Sequence, residues 1–153
     1  MSGEPDIRLA TPEDASAMAR IHREARAKAM PWLAIVHTPE EDLAFFRDQV
    51  LPHCQSEVAL IDSAPVAFSA RKEDWLDHLY VQPSAWGIGL GAVLLSRAKA
   101  SGPSLQLWTF QRNALARNFY ERHGFKAVEF TDGARNEESE PDVRYVWERG
   151  TIA

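Results

Sequence analysis

The sequence predicts an α/β fold built on a mixed, mostly antiparallel sheet, and three observations carry that reading. Trp75 to Leu95 passes from an aromatic and branched segment through a glycine-rich turn into an apolar stripe at helical spacing. Leu105 to Phe110 follows as a strand, so strand, helix and strand make one parallel unit with a right-handed crossover. Upstream, Ser56 to Ile61 and Val66 to Ala70 flank Asp62-Ser63-Ala64-Pro65 as a hairpin, and with Trp75 to Val81 they form an antiparallel meander.

The remaining elements fall in order around that centre. Asp6 to Ala10 alternates as a short strand, after which Thr11-Pro12-Glu13-Asp14 supplies an N-cap, a proline at the first helical position and early acids. Ala15, Met18, Ala19, His22 and Ala25 keep helical spacing until Pro31 and Trp32 interrupt it near Met30. Thr38-Pro39-Glu40-Glu41 repeats the start signal as a capping box and leads Leu43, Phe46 and Val50 into a second helix, which Pro52 is expected to close. The third strand of the meander stops at Pro83, which lacks an amide donor and fixes φ. Leu90, Val93, Leu94 and Ala98 then share one stripe of a helix that starts among Gly87, Gly89 and Gly91 and runs to about Lys99.

Ser101-Gly102-Pro103 ends that helix. Asn113 to Arg122 is a compact helix with Gly124 in a C-cap position, and Asn113, Ala116 and Tyr120 lie on one of its stripes. Phe125 to Thr131 and Val143 to Trp147 form a last pair of strands around the acidic segment Asp132 to Asp142. With no repeat, linker or low-complexity stretch, residues 1–153 are expected to make one domain.

Composition narrows the function. At 153 residues the chain is long enough for a core and too short for a dinucleotide domain plus a substrate domain. A net charge of −5 without a basic run argues against a nucleic-acid partner and favours a basic substrate. No window approaches the ~20 apolar residues of a membrane span. The first thirty residues lack an apolar core of signal-peptide length, and Cys54 is the single cysteine, so a reduced, cytoplasmic setting with no membrane partner is expected. Cys54 reads as a structural or surface thiol, and as a nucleophile only if a base lies near it in space. No metal site is expected.

The glycine turn has two readings. Without Cβ atoms, Gly87, Gly89 and Gly91 let a bulky anion approach the backbone, where the first free amides of the helix and its dipole face it, as a pyrophosphate cradle would. The same glycines also serve simple close packing of helix on strand. A dinucleotide-binding fold would add an acid about twenty residues beyond the glycines at a strand end, and Ser104 to Phe110 has none.

Leu79-Tyr80-Val81-Gln82-Pro83, Gly87-Ile88-Gly89-Leu90-Gly91 and Asn113-Ala114-Leu115-Ala116-Arg117-Asn118-Phe119-Tyr120-Glu121-Arg122-His123-Gly124-Phe125 together resemble the GNAT superfamily of acyl-CoA-dependent N-acetyltransferases. The order of elements fits that family from about residue 6 to residue 148. The resemblance implies a sheet splayed at its centre, about four helices, acetyl-CoA as co-substrate, and direct transfer to a primary amine of a small molecule or peptide. Trp86, Gly87, Ile88, Gly89, Leu90, Gly91 and Ala92 would hold the pyrophosphate, with Trp86 standing where the family has glutamine or arginine. Leu79, Tyr80 and Val81 would pair with the pantetheine arm, and Asn113, Ala116, Phe119 and Tyr120 would complete the coenzyme site.

Tyr120 resembles the family's general acid for the departing thiolate, a role that suits a phenol with a pKa near ~10. It also reads as a core tyrosine, as Asn113 also reads as a helix N-cap. On a regular strand Asp77 shares a face with Leu79 and Val81 and is the base candidate, or else a solvated carboxylate, while His78 points the other way and packs. Asn136, Glu137 and Glu138 either edge the amine site, faced by Trp32 and His37, or belong to a solvated hairpin. A homodimer is compatible with the resemblance. A non-catalytic acyl-CoA-binding sensor is the alternative, motivated by Trp86.

Overall fold

The computed structural model describes residues 5–150. Seven strands form one sheet: β1 (Asp6–Leu9), β2 (Gln55–Ile61), β3 (Ala64–Lys72), β4 (Trp75–Val81), β5 (Ser104–Phe110), β6 (Lys126–Phe130) and β7 (Asp142–Glu148). Their spatial order is β1-β2-β3-β4-β5-β7-β6, antiparallel throughout except for β4 beside β5. That parallel pair touches only at its base, where Trp75 stands opposite Gln106 and the Gln106 amide donates to the Asp74 carbonyl at 2.8 Å. Beyond that point the two strands diverge, which is the expected splay.

Four helical segments cover the sheet: α1 (Ala15–Ala29), α2 (residues 39–53), α3 (Leu90–Lys99) and α4 (Ala114–Arg122). Residue alternation sends Val58, Phe68 and Ala70 to one face against Met18, Ile21, Phe46 and Val50 of α1 and α2. Ala59 and Ala67, one step along, meet Leu90 and Leu94 of α3 on the other face. A third cluster joins Leu76, Leu95, Leu105, Leu107, Val143 and Tyr145 to Tyr120 of α4 and to Phe125.

Local chemistry explains most boundaries. Thr38 and Glu41 close the anticipated capping box, with the Glu41 amide donating to Thr38 Oγ1 at 3.1 Å and the Thr38 amide to Glu41 Oε1 at 2.8 Å. Pro52 does not end α2. The helix widens into a π turn over Phe46–Val50, the Leu51 amide reaches back five residues to the Phe46 carbonyl, and one more turn, Leu51–His53, carries the proline at its start, where no amide is needed. The β2–β3 connection is also tighter than the four-residue spacer suggests. Asp62 and Ser63 alone turn the chain, at φ 51° and 68°, and Ala64 and Pro65 are already strand. Pro65 sits opposite Leu60 where the register shifts, a position that spares its missing donor.

Candidate active site

The gap between β4 and β5 widens into a groove of about 560 Å³, reaching from Trp86, Gly87 and Gly89 past Leu79 and Val81 to Asn113, Phe119 and Tyr120. At its mouth, Gly89 is the N-cap of α3 at φ 88° and Gly87 has φ 87°. A Cβ at either would meet nothing within 4 Å, so these residues are glycine for their left-handed backbone and for what lies in front of them. The first intrahelical bond runs from the Val93 amide to the Gly89 carbonyl at 3.1 Å, leaving the amides of Leu90, Gly91 and Ala92 as the open donors of the helix. A Cβ at Gly91 would meet the Phe119 ring at 3.5 Å, an ordinary van der Waals contact, so this position tolerates a small side chain. Gly87 and Gly89 thus shape a helix terminus whose open amides face free space, while Gly91 packs near Phe119.

Along the groove, backbone polarity alternates. The Gln82 amide donates to the Val66 carbonyl at 2.7 Å, which fixes 82/66 and hence 80/68 as the bonded pairs of the β3–β4 ladder. Tyr80 thus spends its main chain on β3, while Leu79 and Val81 turn theirs into the gap. Trp86 occupies part of what they offer: its indole Nε1 donates to the Val81 carbonyl at 2.6 Å.

Tyr120 is buried, and burial pushes its phenol well above the ordinary value, with nearby Tyr80 adding to the effect. Its hydroxyl makes no hydrogen bond to the described residues, whereas Asn113 uses both ends of its amide. Asn113 Oδ1 caps α4 by accepting from the Ala116 amide at 3.1 Å, and its Nδ2 donates to Met30 Sδ at 3.4 Å.

Asp77 departs from the regular-strand expectation. Ala70 pairs with His78 and Arg71 with Leu76, so Asp77 is the extra residue of a β-bulge. Alternation therefore breaks: Leu76 packs beneath α3 together with Leu79, three residues on, and Asp77 lies beside Cys54, whose thiol donates to Oδ2 at 3.9 Å. Burial raises the Asp77 carboxyl, against an opposing pull from Lys72, and burial likewise raises the Cys54 thiol. The thiol is held in its protonated form and is no activated nucleophile.

A second cavity, of about 1150 Å³, opens on the other side of Arg26 and Met30, which line both. His37, Glu137 and Glu138 stand on its wall as anticipated. Trp32 and Asn136 do not line it: the Trp32 ring lies 3.9 Å under the Arg112 guanidinium, and Asn136 is consumed inside its own loop by Glu140 and Asp142. That loop is no solvated hairpin. Glu138 pairs with Arg26 at 3.1 Å, Glu137 with His37 at 2.6 Å and Glu140 with Arg112 at 2.8 Å, which docks it onto α1 and the 30–38 connection.

The cavity floor brings in residues to which the sequence assigned no functional role, His78 having been expected only to pack. His22 and His78 face it with rings 6.1 Å apart, and their Nδ1 atoms are buried without partners. Burial lowers the two imidazoles to about 3 and about 4, so both are neutral near pH 7. The only sequence signal for His22 was its place on the buried stripe of α1. Arg26, which accompanies it, gave none.

Comparison with known proteins agrees with this geometry. The family model described as "Acetyltransferase (GNAT) domain" matches residues 52–127. The peptidyl-lysine N-acetyltransferase YjaB of Salmonella typhimurium is 32% identical over 79 residues, 51% of this chain and 54% of its own. The uncharacterized N-acetyltransferase YafP of Escherichia coli is 35% identical over 78 residues, 51% of this chain and 50% of its own. The chain thus spans about half the length of the curated relatives it matches. Whole-chain likeness comes from solved structures. Apo YjaB of Escherichia coli superposes with a TM-score of 0.79 at 23% identity over 94% of this chain and 97% of that one. The PaiA N-acetyltransferase of Thermoplasma acidophilum in complex with coenzyme A gives 0.75 at 21% identity over 95% and 99%.

Residues 52–127 thus match the GNAT family of acetyltransferases, and the whole chain shares the fold of solved acetyltransferases. Among the described residues no helix is long and apolar enough to cross a membrane.

Proposed function

We propose that the chain, acting as one cytoplasmic domain over residues 1–153, is an N-acetyltransferase that moves an acetyl group from acetyl-CoA directly to a primary amine. The observation that supports this most is the single groove in which open amides at residues 90–92, outward-turned strand backbone at Leu79 and Val81, and the unpartnered Tyr120 hydroxyl follow one another. The residues suit the co-substrate. Helix-terminal amides suit a diphosphate, and an unpaired strand edge suits an amide-bearing arm.

The co-substrate supplies an activated thioester acyl group. This chain's residues then orient and move protons. Formation of the N–C bond and cleavage of the C–S bond leave a proton to be lost from nitrogen and one to be gained by sulfur. Tyr120 holds the proton for sulfur: its raised pKa keeps it protonated, and no protein group competes for it. Asp77 is the assigned acceptor of the amine proton, because desolvation makes its carboxyl a stronger base than an exposed one. Aligning the two reactants contributes much of the acceleration.

A second reading, a non-catalytic acyl-CoA sensor, draws on the Trp86–Val81 bond, which takes one carbonyl from the strand edge. Thiol release from acetyl-CoA over a panel of amines separates the two. Transfer is expected. Tight coenzyme binding with no release for any acceptor would favour the sensor.

A further inference from the structure

The walls of the second cavity lie outside the family match at 52–127 except for His78, so the acceptor must be read from this chain's own residues. Resting on the transfer reading above, we infer that the cavity takes a small monoamine carried on a hydrocarbon body, aromatic or branched, in preference to a polyamine or a peptidyl lysine. Leu33, Ile35, Val36 and Phe45 belong to its lining, and Ile35 and Phe45 remain 77% and 45% exposed. Apolar side chains left this open in the lining of a cleft mark a contact surface for apolar matter.

The lining also carries acids, and these already face cationic partners in space. Asp42 binds Arg23 at 2.7 Å, Glu138 binds Arg26, and Glu137 and Glu41 both face His37, at 2.6 and 3.7 Å. The outlying Glu24 and Asp48 are paired with Arg20 and Arg47. A polycation would at most of these carboxylates exchange one ion pair for another and gain little, the Glu41–His37–Glu137 cluster alone offering two acids to one imidazole. A monoamine on an apolar body displaces no ion pair. Its body covers the exposed apolar side chains, and its nitrogen reaches the seam at Arg26 and Met30, beyond which lies the groove containing Tyr120. The floor suits such a body as well. His22 lies 5.3 Å from Phe46 and 4.9 Å from Tyr80, and Phe45 lies 5.9 Å from His78, all with ring edges turned toward ring faces.

The test compares 2-phenylethylamine, spermidine and an N-terminally blocked lysine peptide as acceptors for the full chain, following thiol release. The expected order places kcat/KM for 2-phenylethylamine at least tenfold above the other two. Ile35→Asp and Phe45→Asp, at exposed positions that leave the core intact, should each raise its KM tenfold or more without changing the KM for acetyl-CoA. Equal or better turnover of spermidine or the peptide overturns the inference, as does an unchanged KM in both variants. Calorimetric titration of 2-phenylethylamine, with and without coenzyme A, separates this from failure of the transfer reading. Heat that disappears in Ile35→Asp supports the cavity assignment even if no thiol is released, and absence of heat in the unaltered protein overturns it.

Discussion

Replacing Tyr120 by Phe removes one oxygen from a buried ring and nothing else. That oxygen bonds to no described residue, so the ring's packing against Phe119, Phe125 and Tyr145, at centroid distances of 5.2, 5.4 and 6.4 Å, should survive intact. The hydroxyl faces the groove and holds no internal contact, and its loss should leave the melting temperature unchanged. Activity should respond differently. General-acid assistance is commonly worth about 10²–10⁴-fold, and a thiolate, with a conjugate acid near ~8.5, needs less help than an alkoxide. The low end, about 10²-fold in kcat or roughly 2.7 kcal/mol of barrier, is therefore expected. Steady-state thiol release and thermal melting of the same two preparations make the comparison, with the KM for acetyl-CoA unaltered. A kcat within twofold of the parent would remove Tyr120 from proton transfer. A lower melting temperature would instead show that its oxygen has a structural partner.

Gly89→Ala places a side chain at φ 88°, which costs roughly 1–2 kcal/mol. At about 2–4 °C per kcal/mol for a chain of this size, melting should fall by about 2–8 °C. Because the new Cβ points into the open space before the helix terminus, acetyl-CoA affinity should fall by at least about tenfold. Unaltered affinity would move the diphosphate elsewhere. Asp77→Asn should lower kcat by about 10²-fold and remove the acidic limb of its pH profile. A superimposable profile would release Asp77 from the base role. His22 and His78 are depressed from 6.5, so the unfolded chain binds more protons below that pH, and stability is full above pH 6.5 and declines toward pH 4. The limiting slope is about 1.4 kcal/mol per pH unit for each ring. Melting followed from pH 7 to 4.5 should show this decline and a shallower one in His22→Phe, whereas parallel curves would show that His22 titrates normally.

What the sequence disclosed and what it hid follow from the range of the interactions involved. Caps and turns are settled within a few residues, so Thr38 with Glu41, and the run from Trp75 through Gly89 into α3, were legible one after another. The coenzyme groove is a product of those local rules plus one crossover. The bulge at Asp77 depends on how β4 registers against β3, a property no single strand encodes, and it breaks the regular alternation on which that residue was placed, although Asp77 still lines the groove with Leu79 and Val81. The acidic loop behaved similarly. Glu137 and Glu138 look solvated until His37 and Arg26, about a hundred residues earlier, are brought to them, and Asn136 turns out to serve the loop itself. Pro52 misled because a π turn shifts where the next amide is required. The cavity floor was illegible for the same reason: His22 and His78 become neighbours only when α1 crosses β4.

Backbone amide resonances of the labelled protein, followed while acetyl-CoA is added, test the central claim most directly. The account predicts that the largest shifts fall on Gly87 to Ala92 and on Leu79 and Val81, with Tyr80 moving less because its main chain is held by β3. Shifts confined to other parts of the chain, or none at saturating thioester, would contradict it.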